Sequence, residues 1–237
     1  MTKKIFITGG TSGIGEAILK NYQDLGFLFY IVSRKSHKNT DNKKYIQVDL
    51  SDSGQFIKLN TTFTEIKFDR VILGAGYSNW GDFFNITDNE DLMQFSVNFT
   101  ANLYILKNVK LNPDAKILFI SSTSSFTNIP NQLVYSLSKM SFSQLFHSLY
   151  KPLQRQGVHS TLLIPSSTNT AFWDKRPNVD RSKFSNSNTM ALKAYYDFEK
   201  GLKYSTPTLS ARIQLYLSLI LPHSFFSIIK KAIKLKR

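Results

Sequence analysis

The sequence contains no cysteine, so disulfides, thiolate nucleophiles and cysteine-based metal sites are excluded. Acidic residues are scarce: 16 Asp and Glu stand against 30 Lys and Arg, a formal net charge of +14. A basic balance suits nucleic acid, a membrane surface or an anionic ligand, and does not choose among them. The four histidines, His37, His147, His159 and His223, lack metal-ligand spacing such as HExxH, so no metal site is expected. No Gly/Ser/Pro-rich linker and no internal repeat divides the 237 residues. One domain over residues 1–209 is therefore expected, followed by an apolar and basic helical tail over 210–237. Met1-Thr2-Lys3-Lys4 leads straight into an apolar run too short for a signal peptide, which points to the cytoplasm.

What is present is an alternation of strand and helix signals. Ile5-Phe6-Ile7, Phe27 to Val32, Tyr45 to Val48, Val71-Ile72-Leu73, Ile117 to Ile120 and Leu162-Leu163-Ile164 read as buried strands. Helical spacing lies between them: Ala17, Ile18 and Tyr22 before Gly26, then Phe56 to Ile66, Asp91 to Val109 and Val134 to Gln156. Continuously apolar strands separated by helices predict an α/β fold, a doubly wound parallel sheet covered on both faces in three layers.

The first strand ends in Thr8-Gly9-Gly10-Thr11-Ser12-Gly13-Ile14-Gly15, which opens a helix. Gly9, Gly13 and Gly15 suit a tight turn that lets backbone approach a pyrophosphate, with Thr11, Ser12 and Ile14 beside it at the helix N-terminus. An ordinary tight turn is the plainer alternative; the place after strand one favours a dinucleotide. The second strand ends in Ser33-Arg34-Lys35, where a site for NAD usually carries an acid. Arg34, with its planar fork, suits the 2′-phosphate of NADP, with Ser33, Lys35 and Lys38 near it. NADP(H) is thus expected over NAD(H). Asp49-Leu50 after the third strand sits beside the adenine, or Asp49 is a cap or turn residue.

Tyr135-Ser136-Leu137-Ser138-Lys139 places a phenol and an ammonium four apart, on one helical face. A lysine there lowers a tyrosine pKa, and such a tyrosine can exchange a proton with a carbonyl oxygen. Taken alone, the pair is an ordinary surface pair more often than not. Ser122 lies thirteen residues before Tyr135, directly after the Ile117 to Ile120 strand.

From Thr8 to about Thr170 the chain resembles the single-domain short-chain dehydrogenases/reductases, which are Rossmann-like. The resemblance rests on TGGTSGIG, Asp49-Leu50, Gly74-Ala75-Gly76, Asn98, Ser122, the Tyr135/Lys139 pair and Pro165, in the family's order and spacing. It implies that Tyr135 is the general acid/base and that Lys139 depresses its pKa and holds the nicotinamide ribose. Ser122 would polarise the substrate carbonyl, and Asn98 would stabilise a helix distortion and a relay water behind Lys139. Gly74, Ala75, Gly76, Pro165, Thr168 and Thr170 fall to the cofactor, Thr170 at the carboxamide. The chain departs from the family at Leu73-Gly74, where Asn-Asn is usual, and at Ser125 and Ser166, where glycine is usual.

The resemblance implies a small carbonyl or alcohol substrate and a homo-oligomer, dimer or tetramer. Two other functions stay open: a non-catalytic NADP sensor or scaffold, and a nucleotide-sugar enzyme of the extended type. The GxxxGxG spacing and short chain speak against the latter. No nucleic-acid motif appears. Ala171 to Asn188, with Phe172, Trp173, Lys175, Arg176, Arg181, Lys183 and Phe184, takes the place of a substrate lid (about 171–188) and reads as loop rather than core. The tail has no charged residue from Ile213 to Ile229 and then turns basic. It predicts two short helices broken at Pro222, with Phe225, Phe226, Ile229 and Ile233 on one face. Packing on the protein or another subunit and peripheral contact with an anionic membrane both fit it.

Overall fold

A computed structural model of the chain describes residues 2–127, 129, 131–174, 176 and 179–220. Seven parallel strands form one sheet in the order β3-β2-β1-β4-β5-β6-β7. They are β1 (Lys4–Thr8), β2 (Leu28–Ser33), β3 (Lys43–Gln47), β4 (Lys67–Leu73), β5 (Lys110–Ile120), β6 (His159–Leu163) and β7 (Tyr204–Ser205). The sequence anticipates the first six; β7 is too short to leave a pattern. The helices are α1 (Gly13–Lys20), α2 (Asn60–Glu65), α3 (Asp88–Phe95), α4 (Ala101–Asn108), α5 (Leu133–Arg155), α6 (Ser187–Glu199) and α7 (Leu209–Ile220). The expected helix from Phe56 to Ile66 begins as a tighter 3-10 turn, Ser53–Leu59, and only then becomes α2.

Alternate residues of each strand enter opposite layers, as the period of two requires. Ile5, Ile7, Ile72, Leu118 and Leu163 meet Ala17 and Ile18 of α1 and Ala191, Ala194 and Phe198 of α6. Phe6, Val71, Phe119 and Leu162 face the other way, onto Ile105 of α4 and Phe142 and Phe146 of α5. Helices on both faces and the reversal of strand order between β1 and β4 open a crevice at the carboxyl ends of the strands.

Pairing of β4 with β5 is interrupted near their starts. Phe68 pairs with Leu111 and Arg70 with Lys116, so residues 112–115 bulge opposite Asp69. Asp114 there takes a φ of 57°, and the Asp69 carboxylate accepts from the Lys4 backbone N–H and the Asn112 amide.

At the far end, Ala211 and Leu215 of α7 are buried, and Leu215 joins the core. Ile213 and Tyr216 stay exposed. Among the described residues, no helix is long and apolar enough to cross a membrane. Pro222 and the Phe225, Phe226, Ile229 and Ile233 face lie outside the described residues.

Candidate active site

The crevice holds a cavity of about 1160 Å³, bounded at one end by the turn after β1. Gly9 and Gly13 take φ values of 73° and 61°, which only glycine adopts without strain. A Cβ on Gly9 would stand 2.5 Å from the Gly74 carbonyl oxygen, and one on Gly15 2.3 Å from the Gly9 carbonyl oxygen. The turn thus admits backbone alone, and α1 begins directly behind it. Ser12 caps α1 in extended conformation without a side-chain cap bond, and its neighbour Thr11 is exposed and is not among the cavity-lining residues. Gly9, Ser12, Gly13, Ile14 and Gly15 all line the cavity. This cradle fits a dinucleotide pyrophosphate.

The neighbouring turn accounts for the departure at Leu73-Gly74. Leu73 is a core residue, and a Cβ on Gly74 would lie 2.9 Å from the Thr8 carbonyl oxygen. The Thr8 hydroxyl accepts from the Gly74 and Ala75 N–H groups, at 3.1 and 3.2 Å. Strands β1 and β4 are therefore tied here by threonine and backbone. Gly74 and Gly76 line the cavity; Ala75 packs against the core.

At the end of β2, Arg34 is exposed and lines the cavity. Ser33 is turned inward: its hydroxyl accepts from the Lys35 N–H at 3.2 Å and meets His37 Nε2 at 3.0 Å. His37 stacks on Tyr45 of β3, ring centroids 4.6 Å apart. Asp49 accepts from the Ser51 N–H and hydroxyl at 2.9 and 2.7 Å, the turn role. Leu50 is in the core, and its carbonyl accepts from Ser96. Neither Asp49 nor Leu50 is among the cavity-lining residues.

The opposite wall comes from α5. Tyr135, Lys139, Phe142 and Phe146 recur at helical spacing and are all buried. The two phenylalanines seat this stripe in the core, and the polar pair one and two turns earlier reaches the crevice. Lys139 Nζ donates to the Ile120 carbonyl at 3.0 Å. Burial holds its pKa down to about 8.

The Tyr135 pKa is raised above the ordinary phenol value, because burial penalises the phenolate. The influence of the Ser122 hydroxyl and the positive charge of Arg176 act in the opposite direction.

Ser122 follows β5 and caps the short turn Thr123–Phe126, accepting from the Ser124 N–H at 3.0 Å. The departure at Ser125 fits this turn: its hydroxyl donates to the Ser122 carbonyl at 2.7 Å. Asn98 is fully buried in a π-helical turn, Ser96–Thr100, between α3 and α4. It accepts from the Tyr77 N–H at 2.9 Å and donates to the Tyr77 carbonyl and the Ser138 hydroxyl at 2.8 and 2.9 Å. It thereby clamps the loop after β4 to α5 behind the Tyr135/Lys139 pair.

Pro165, Thr168 and Thr170 follow β6 and line the cavity. Ser166 meets Ser185 at 3.2 Å, and Thr168 bridges to Ser185. The Thr170 methyl carbon lies 3.4 Å from where a Gly13 Cβ would be, so this loop closes on the glycine turn.

The expectation of a loop without core for Ala171 to Asn188 is overturned in part. Trp173 donates to the Thr168 carbonyl at 3.0 Å, and Arg176 is only 7% exposed. Phe172, Trp173 and Trp80 surround its guanidinium. Trp80, Gln132 and Ser124 are parts of this site that the sequence reading did not single out.

A family model described as short chain dehydrogenase matches residues 3–180. The 3-ketodihydrosphingosine reductase of Bacteroides thetaiotaomicron is 28% identical over 181 residues, 73% of this chain and 66% of that protein. The chain therefore matches just under two thirds of that relative's length. A short-chain dehydrogenase from Sphingobium yanoikuyae solved in complex with NADPH superposes with a TM-score of 0.78 at 19% identity, covering 90% of this chain and 92% of that one. One from Burkholderia phymatum in complex with NAD gives 0.76 at 17% identity, covering 91% and 92%. At such identity the two structures speak for the fold, and the family match over most of the sequence carries the assignment: this chain belongs to the short-chain dehydrogenase family.

Proposed function

We propose that this protein is an oxidoreductase that prefers NADP(H) and interconverts a carbonyl and an alcohol, with Ser122, Tyr135 and Lys139 as its catalytic set. The observation that carries this reading is their meeting in one cavity with the glycine turn. A bound nicotinamide supplies the hydride, or accepts it in the alcohol direction. Gly9, Ser12, Gly13 and Gly15 would hold the pyrophosphate, and Thr168, Thr170 and Pro165 the nicotinamide end.

Tyr135 keeps its proton at neutral pH, because its pKa is raised by burial. It is therefore ready to give that proton to a carbonyl oxygen as the carbonyl is reduced. Ser122 holds the same oxygen and polarises it. Lys139 has one N–H anchored on Ile120 and others free to meet a ribose hydroxyl. Asn98 acts on the site through Tyr77 and Ser138, keeping the loop and helix in register.

Arg34 supports the choice of NADP(H), being exposed on the cavity wall where a 2′-phosphate would lie. Arg34→Asp is expected to weaken NADPH binding by about 10–100-fold, the worth of a charge-assisted contact, and to leave NADH nearly unchanged. Titration of cofactor fluorescence checks this; equal losses for both cofactors would remove Arg34 from the phosphate. The reading as a whole is tested by screening ketones and aldehydes for NADPH oxidation. Tight NADPH binding with no turnover of any carbonyl would favour a sensor.

A further inference from the structure

Arg176 has no part in the reaction just described, yet it is placed with care. Its guanidinium carbon lies 4.3 Å from the Trp173 ring centroid, 4.4 Å from Phe172 and 5.4 Å from Trp80. In the amide orientation that pairs donors with acceptors, the Gln132 oxygen accepts from both terminal nitrogens, at 2.7 and 2.6 Å. Nε is buried and unpaired, and among the described residues no carboxylate bridges to the group. Aromatic faces and a neutral amide orient a guanidinium but do not cancel its charge. Burial lowers its pKa to about 10, which still leaves it cationic at neutral pH. Buried cations are ordinarily paired with an anion.

The cavity gives an anion a route to this guanidinium. Arg176 lines the same cavity as Tyr135, and Phe172 touches both, its ring 5.5 Å from that of Tyr135. We infer that Arg176, held by Gln132 and the three aromatic rings, is the receptor for an anionic group of the substrate, a carboxylate, phosphate or sulfonate close to the reacting carbonyl. The planar fork matches such oxygens, and the rings beside it accept apolar substrate atoms. The position of the carbonyl rests on the oxidoreductase reading; the capture of the anion does not.

The chain's two tryptophans are Trp80 and Trp173, and both contact Arg176, so intrinsic fluorescence reads this site directly. The full chain is titrated with hexanoate and with hexanamide, a matched charged and neutral pair, with NADP⁺ present and absent. Hexanoate is expected to bind about tenfold or more tightly with NADP⁺ bound, the worth of one charge-assisted contact. Arg176→Gln abolishes that preference and Arg176→Lys retains part of it, which separates loss of charge from loss of folding. Equal binding of the two probes overturns the inference, as does a preference that survives in Arg176→Gln. Displacement of hexanoate by NADP⁺ also overturns it and assigns the guanidinium to the cofactor's phosphates.

A second arm compares NADPH oxidation with 2-oxo and 3-oxo acids and their methyl esters. Higher kcat/KM for the acids is expected. An anion preference in fluorescence with no acid or ester reduced would defeat the oxidoreductase reading and leave the receptor standing. Acids and esters reduced equally, with equal probe binding, would do the reverse.

Discussion

Tyr135→Phe is expected to lower kcat by about 10²–10⁴-fold, the usual contribution of a positioned general acid, while NADPH still binds. The substitution deletes one hydroxyl from a buried ring whose packing against Phe172 does not need it. The ring stays on the stripe of α5 that Phe142 and Phe146 anchor, so the cradle at Gly9 to Gly15 is untouched. What disappears is the phenol hydroxyl that shares the cavity with Ser122. Steady-state kinetics together with a cofactor titration separate the two effects. Turnover within a few-fold of the unaltered protein would remove Tyr135 from proton transfer.

The second large effect concerns stability and lies at the other end of the sheet. Glu199 closes α6 and gathers groups from β4, β5 and the turn after α1. It accepts from the Tyr22 hydroxyl at 2.5 Å, from Arg70 Nε and Nη2 at 2.7 and 2.8 Å, and from Lys116 at 3.1 Å. Lys116 also donates to the Glu199 backbone carbonyl. Glu199→Gln would leave Arg70, a buried cation of β4, without its counter-charge. Breaking such a pair costs about 3 kcal/mol, near the low end of the buried range because the Glu199 side chain keeps some contact with water. In a chain of this size that lowers the melting temperature by about 5–10 °C. An unchanged melting temperature would mean that Arg70 and Lys116 find other partners.

The same carboxylate sets an acid limit. Its pKa is lowered from 4.5 to about 2, with hydrogen bonds from Arg70 and Tyr22 outweighing burial, which acts in the opposite direction. A carboxylate depressed in the folded state stabilises fully above its unfolded pKa. That stabilisation fades as pH falls from about 4.5 toward 2, where the folded group is also protonated. The gap in stability between the unaltered protein and Glu199→Gln should therefore narrow across this window. Thermal melts at pH 7 and pH 3 measure it.

The parts of this molecule legible in its sequence are those whose meaning is local. The glycine turn declares itself because a positive φ and a close backbone approach both demand glycine within seven residues of chain. Tyr135 and Lys139 are legible because a helix places positions four apart on one face. The buried strands announce themselves through continuous apolar runs. Arg176 is different. Its surroundings come from Trp80, nearly a hundred residues earlier, and from Gln132, so a loop full of cations conceals which one is buried. The electrostatics of Tyr135 escaped for a related reason: spacing shows that Lys139 is near, but not that burial raises the phenol pKa or that Arg176 supplies the opposing charge. Glu199 likewise has partners 83, 129 and 177 residues away. Helix α6 does carry a readable signal, with Asn186 capping it and Met190, Ala191, Ala194 and Phe198 at helical spacing directly after the polar loop.

The bulge in β5 has a practical meaning. Residues 112–115 leave the sheet at the amino-terminal edge of the strands, whereas the cradle and Tyr135 gather at the carboxyl edge. Pro113 and Asp114 are exposed, and regular pairing resumes only at Lys116. An epitope, a fluorophore or a surface tether introduced between Pro113 and Asp114 would thus be carried on the side of the molecule facing away from the chemistry, leaving cofactor and substrate their approach from the other side.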